Sequence, residues 1–75
     1  MEMNADVLRS QFMEIYELEK NARDIYNGIL AATKDPEVRS VVKPIRDDEI
    51  RHMRLAKRAI SILDSESERQ RFPQS

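Results

Sequence analysis

The chain has no cysteine among its 75 residues. That absence excludes disulfides, zinc fingers and iron–sulfur clusters. A chain this short without disulfides usually gains its stability from a metal, from oligomerisation or from very regular helix packing. We therefore expect one small domain over residues 1–75 that relies on at least one of these three sources.

Glycine, aromatic residues and long apolar runs are also scarce. One Gly, two Tyr and two Phe give little support to a β-sheet, so an all-α fold is expected. No apolar run is long enough to span a bilayer, and "MEMNADVLRS" lacks the basic start and apolar middle of a signal peptide. The 13 basic and 14 acidic residues create no long-range field that favours nucleic acid or an anionic membrane. These features predict a cytoplasmic protein with neither kind of partner.

The spacing of the apolar residues predicts two long helices and a polar end. The first helix is expected over residues 4–33, with Asn4 as its N-cap. The second is expected over residues 36–63, with Asp35 as its N-cap. Residues 64–75 are expected to form a polar tail that is frayed or weakly helical.

Each predicted helix carries a series of positions spaced alternately by three and four, the pattern of a helix that packs along one face. Besides Glu19, the series in the first helix comprises Leu8, Phe12, Ile15, Ala22, Tyr26 and Ile29. Besides Glu49 and His52, the series in the second comprises Val38, Val42, Ile45, Ala56, Ala59 and Leu63. Two carboxylates and the only histidine are thus expected in the core, where isolated charges are too costly to keep without partners or a metal.

Pro44 falls inside the second helix, although Pro36 suits its first position. A proline in a helix interior removes a hydrogen bond and tends to bend the chain. One interpretation is a kinked helix that begins at Pro36, and the other is a new helix that begins at Pro44. The apolar series keeps its phase across Pro44, which favours the kinked helix.

Two helices of similar length joined by a tight turn predict an antiparallel hairpin. A lone hairpin would leave both apolar faces half covered. The simplest way to cover them is a homodimer, in which two hairpins form a four-helix bundle. The expected fold is therefore an all-α antiparallel two-helix hairpin that dimerises into a four-helix bundle.

Glu19, Glu49 and His52 are predicted to lie at one height of this hairpin. With the turn near residue 34, Glu19 is fifteen residues before it and Glu49 fifteen after it. A two-fold partner doubles the set to four carboxylates and two imidazoles, the ligand set of di-iron carboxylate sites in four-helix bundles. The three residues are therefore candidate metal ligands and catalytic residues, with Glu49 bridging two ions. This ligand set suits two iron or manganese ions per dimer, with zinc or cobalt as substitutes.

Two segments resemble the ligand helices of ferritin-like proteins. "ELEKNARDIY" is similar to the first ligand helix of rubrerythrin-like proteins, and "RDDEIRHMRLA" is similar to their Glu-x-x-His helix. The interval of 30 residues between Glu19 and Glu49, in a chain with two long helices, most resembles the encapsulated ferritins, whose half-bundles pair. The resemblance covers about residues 8–63.

That resemblance implies a ferroxidase that oxidises Fe(II) with dioxygen or peroxide at a site shared across a dimer interface, for iron storage or detoxification. It also implies further assembly of dimers into a ring and residence in an encapsulin shell, although "ERQRFPQS" does not resemble a docking peptide. Two alternatives remain open. One is a rubrerythrin-like peroxide reductase with an external electron donor. The other is a structural oligomerisation hairpin without metal, in which the polar residues set the register.

Tyr26 and Asp48 are weaker candidates for residues that support the ligands. The resemblance places Tyr26 beside the site, whereas a tyrosine on a helix face is more often a packing residue. Asp48 corresponds to an aspartate that holds the partner chain's ligand histidine in designed di-iron bundles. The alternative for Asp48 is a solvated position on the flank of the helix.

Overall fold

The computed structural model describes residues 4–71, with side chains through Glu66. These residues form two helices and no strand. Helix α1 spans Ala5–Ala32 and helix α2 spans Pro36–Arg71. The described part of the chain is therefore all helical, as its composition predicts.

Both helices begin at the residues that the sequence predicts. The Asn4 side-chain oxygen accepts a hydrogen bond from the backbone N–H of Val7 at 2.9 Å. The Asp35 carboxylate accepts from the N–H groups of Glu37 and Val38 at 2.8 and 3.3 Å. Each cap satisfies backbone donors that have no partner within their own helix.

Arg39 ties the start of α2 to the end of α1. Its guanidinium donates to the backbone carbonyl of Leu30 and, at 3.2 Å, to that of Thr33. Carbonyls at a helix C-terminus lack intrahelical partners and carry partial negative charge, which a cation stabilises. The contact therefore holds the three-residue turn closed and sets the two helices antiparallel.

Helix α2 differs from its predicted length. It continues through Pro44 without interruption, so a separate helix beginning at Pro44 is excluded. It also extends to Arg71, eight residues beyond the predicted end at residue 63, so the part of the predicted frayed or weakly helical tail over residues 64–71 is helical, and residues 72–75 lie outside the described residues. The segment is polar, but its Glu, Arg and Gln residues are good helix formers, and no Gly or Pro interrupts it before Pro73.

The core lies along the contact between the two helices and is small. Leu30, Met53, Ala56 and Ile60 are the buried apolar residues among those described. Glu19, Glu49 and His52 are half-buried and lie outside the core of the single hairpin, while their burial in a four-helix bundle stays a prediction. Two helices cover a side chain only where they contact each other. A side chain that points partly away from this contact therefore stays partly exposed to solvent.

In the described residues, neither helix combines the length and the low charge that a membrane span requires.

Candidate metal centre

Glu19, Glu49 and His52 come together at mid-height of the hairpin. One ligand atom from each lies within 4.8 Å of the other two. The His52 Nδ1 atom is 3.6 Å from a Glu19 carboxylate oxygen, across the two helices. The prediction that these three residues share one height is therefore confirmed.

The geometry fits one metal ion with little adjustment. Oxygen and nitrogen ligands bind first-row metal ions at about 2.1 Å, so two atoms on one ion are at most about 4.2 Å apart. The Glu19–His52 separation of 3.6 Å already lies inside that limit. The separations of up to 4.8 Å in the full set exceed this limit by about 0.6 Å, a difference that rotation about side-chain torsions can close.

The electrostatics of the group also fit a cation. Glu19 has His52 as a neighbour, but the Glu49 side chain has no hydrogen bond or ion pair with any residue of the described part of the chain. The group therefore places two carboxylates beside one imidazole with no Lys or Arg among them. A positive ion would relieve the repulsion between these carboxylates and partner the half-buried Glu49.

The ligand set is incomplete on one hairpin. Three side chains leave an ion with open coordination positions, and the imidazole is 44% exposed. The exposed part faces away from the contact between α1 and α2, because that contact is already occupied by buried apolar side chains. A second hairpin laid over the open side would meet the site directly.

Tyr26 and Asp48 do not join the group. Tyr26 is half-buried and lies seven residues from Glu19, about 10 Å along α1. Asp48 is exposed and accepts a 3.4 Å contact from Arg51 on its own helix. Within one hairpin, neither side chain supports a ligand, so a role for Asp48 requires a residue from outside the chain.

The tyrosine nearer the site in sequence is Tyr16, which the sequence-based prediction missed. It precedes Glu19 by three residues, and Lys57 of α2 stands over its ring at 5.5 Å from the centroid. This cation–π contact joins the two helices about one turn from the ligands.

A scan against models of protein families finds no match, and searches of curated proteins and of solved structures find none either. The functional argument for this chain therefore rests on its own residues and their geometry.

Proposed function

We propose that this chain is a di-iron protein that oxidises Fe(II) to Fe(III) with dioxygen or peroxide, for iron storage or detoxification. The observation that carries the proposal is the group of Glu19, Glu49 and His52, whose ligand atoms lie within 4.8 Å of one another. The site is shared by two copies in a homodimer, each supplying the same three residues. The resemblance of the two ligand segments to ferritin-like proteins supports this assignment.

The carboxylates and the imidazole have different roles toward iron. The carboxylates of Glu19 and Glu49 attract Fe(II), and the added negative charge stabilises the Fe(III) product relative to Fe(II). The His52 imidazole supplies one neutral nitrogen ligand and limits the total charge of the site. Carboxylates also change readily between one-oxygen and two-oxygen ligation, which lets Glu49 adjust as the charge on iron rises.

The overall reaction balances without a cofactor beyond iron. Two Fe(II) ions each give one electron to hydrogen peroxide, whose O–O bond breaks, and two protons complete two water molecules. With dioxygen, two Fe(II) ions supply two electrons, and two protons give hydrogen peroxide. The protein has no cysteine with which to return electrons. Its Fe(III) product therefore leaves the site for storage elsewhere unless an external donor reduces it.

The test is Fe(II) oxidation, followed by absorbance of Fe(III) in stopped flow under dioxygen and under peroxide. We expect oxidation well above the rate of buffer alone, with saturation near one iron per chain. Turnover that is sustained only with peroxide and an added reductant would favour the peroxide reductase. A rate of Fe(II) oxidation equal to that in buffer, with both oxidants, would contradict the proposal. Glu19, Glu49 and His52 would then form a polar layer in a structural hairpin.

A further inference from the structure

Two arginines lie one helical turn from the carboxylates of the candidate metal centre. Arg23 follows Glu19 by four residues on α1. Arg46 precedes Glu49 by three residues on α2. Residues so spaced on a helix are neighbours, with Cβ atoms roughly 5–6 Å apart, so each glutamate has a cation within reach. Both arginine side chains are half-buried, at 30 and 24% exposed, so solvent screens their charge only in part.

Arg23 also stands across the hairpin from Glu49. Residue numbers of the pairs that touch across the two helices sum to 71–73. The numbers of Arg23 and Glu49 fall within this range, so the two residues lie at one height. The guanidinium of Arg23 therefore has two carboxylates near it, Glu19 on its own helix and Glu49 on the other.

Neither arginine contacts a glutamate of the metal centre. The Nε and Nη2 atoms of Arg23 donate instead to one carboxylate oxygen of Asp24, at 3.1 and 2.9 Å. The Nε atom of Arg46 likewise donates to the carboxylate of Asp47 at 2.9 Å. Within the described residues, no ion pair joins either arginine to either glutamate.

The two aspartates draw the guanidinium groups toward the outer sides of the helices. Adjacent residues do not face each other on a helix. At about 100° per residue, Asp24 lies about 140° around α1 from Glu19. By the same count, Asp47 lies about 160° around α2 from Glu49. An arginine that binds the next residue is therefore turned away from the glutamate on its own helix.

The alternative pairing of Arg23 with Glu19 is one that helices favour. A glutamate four residues before a cation is the better of the two orders for an ion pair along a helix. Glu19 is 22% exposed whereas Asp24 is 57% exposed, so solvent would screen a pair with Glu19 less. The fork of a guanidinium can also bind two carboxylate oxygens at once. In that position Arg23 would occupy the ligands that a metal ion needs.

We propose that Asp24 is a positioning residue that holds the Arg23 guanidinium away from the metal centre. The carboxylates of Glu19 and Glu49 thereby stay open to a metal ion. When Asp24 is replaced, Arg23 turns onto Glu19 and competes with the ion. The inference rests on the proposed function in one respect, that the group of Glu19, Glu49 and His52 binds metal.

Asp47 provides the matched control for this role. It binds Arg46 as Asp24 binds Arg23, and its side chain is similarly exposed, at 64%. Arg46, however, also donates to Asn27 across the hairpin at 2.9 Å. Loss of the Asp47 carboxylate therefore removes the same charge near the site and leaves the arginine held.

The first measurement is the affinity for Co(II), by calorimetric titration of Asp24→Asn and Asp47→Asn. We expect Asp24→Asn to weaken binding roughly 3- to 10-fold, because a partly buried ion pair then competes with the metal. We expect Asp47→Asn to weaken it by less than about twofold, since a distant exposed charge is screened. Asp24→Glu keeps a carboxylate and is expected to restore the natural affinity. Equal weakening by the two asparagine substitutions would overturn the proposal.

The effect of Asp24→Asn is expected to require Arg23. Arg23→Gln removes the competing cation, and this variant is expected to bind Co(II) at least as tightly as the natural chain. Adding Asp24→Asn to Arg23→Gln is expected to change the affinity no more than Asp47→Asn does. A loss as large as that in the natural background would show that Asp24 acts without Arg23, and this result too would overturn the proposal.

A measurement without metal separates this proposal from the iron chemistry. With a chelator present, NMR records the resonance of the Arg23 Nε–H in the natural chain and in Asp24→Asn. Adding Glu19→Gln is expected to shift this resonance in the Asp24→Asn background and to leave it nearly unchanged in the natural one. An equal response in both backgrounds would overturn the proposal, whether or not the chain binds Co(II). Absence of Co(II) binding by the natural chain would instead count against the proposed function.

Discussion

Replacing Glu49 by glutamine is expected to remove metal binding and Fe(II) oxidation while leaving both helices formed. The side chain keeps its size and loses its charge. Nothing in the hairpin depends on that charge, because the Glu49 side chain has no hydrogen bond or ion pair with any described residue. Loss of a direct ligand is expected to weaken metal affinity by more than the roughly 10–100-fold typical of residues that only support ligands.

Thermal unfolding with and without Co(II) measures this effect. A ligand that binds the folded state alone stabilises it by about 2.7 kcal/mol at a concentration 100 times its Kd. We expect a clear rise in melting temperature for the natural chain and none for Glu49→Gln. Glu17→Gln is the matched control, since it makes the same change on an exposed residue of α1. An equal rise for Glu49→Gln would show that Co(II) binds elsewhere.

Replacing Ile25 by aspartate is expected to dissociate the dimer. In a single hairpin this side chain is 65% exposed, and a substitution at such a position changes stability by only about 0.5 kcal/mol. In the proposed dimer it would be covered, and a carboxylate without a partner there would cost several kcal/mol. A dimer of the variant contains the substitution twice, so this free-energy cost applies twice. The affinity of the dimer is therefore expected to fall at least 100-fold.

Sedimentation over a range of concentrations measures the affinity. Met13→Asp is the matched control, because Met13 is an exposed apolar residue that lies about 120° around α1 from Ile25. We expect Met13→Asp to remain a dimer at concentrations where Ile25→Asp is monomeric. The monomer is also expected to lose helical content, since only four apolar residues are buried among those that the structure describes. Equal affinities for the two variants would contradict the assignment of the interface.

The helices were predictable because their signals are local. Asn4 and Asp35 act on backbone groups within three residues, and the pattern of apolar residues persists over many turns. The continuation of α2 to Arg71 was not predicted, because an apolar series ends near Leu63 and gives no information beyond it. Helix propensity alone extends the helix there.

The position of the core was harder to predict. Each helix has an apolar arc wider than a single contact, and the sequence does not say which part of the arc meets the other helix. The contacts of Arg9, Asn27 and Lys57 lie along one side of the hairpin, and Met53 and Ile60 are buried between the helices. A prediction of how each helix is rotated about its own axis therefore has to include the long polar side chains that bridge the two helices, together with the apolar pattern.

The candidate site was predicted from two features of the sequence, the distance of each residue from the turn and the spacing of residues along α2. Equal distances from the turn predicted that Glu19 and Glu49 meet, and the helical interval of three residues brought His52 beside them. Their partial exposure was not predicted, because the prediction assumed a closed bundle. In the proposed dimer, this half-open group would be one half of a two-fold site, which the second hairpin would close.

Metal content measured together with mass in solution tests the central claim most directly. Protein from iron-supplemented cells, or apoprotein reconstituted with Fe(II) without oxygen, is analysed for iron per chain and for mass. We predict about one iron per chain, in a dimer or a multiple of dimers, so that two ions occupy each shared site. Absence of iron from both preparations would contradict the claim and leave Glu19, Glu49 and His52 as a polar layer in a structural bundle.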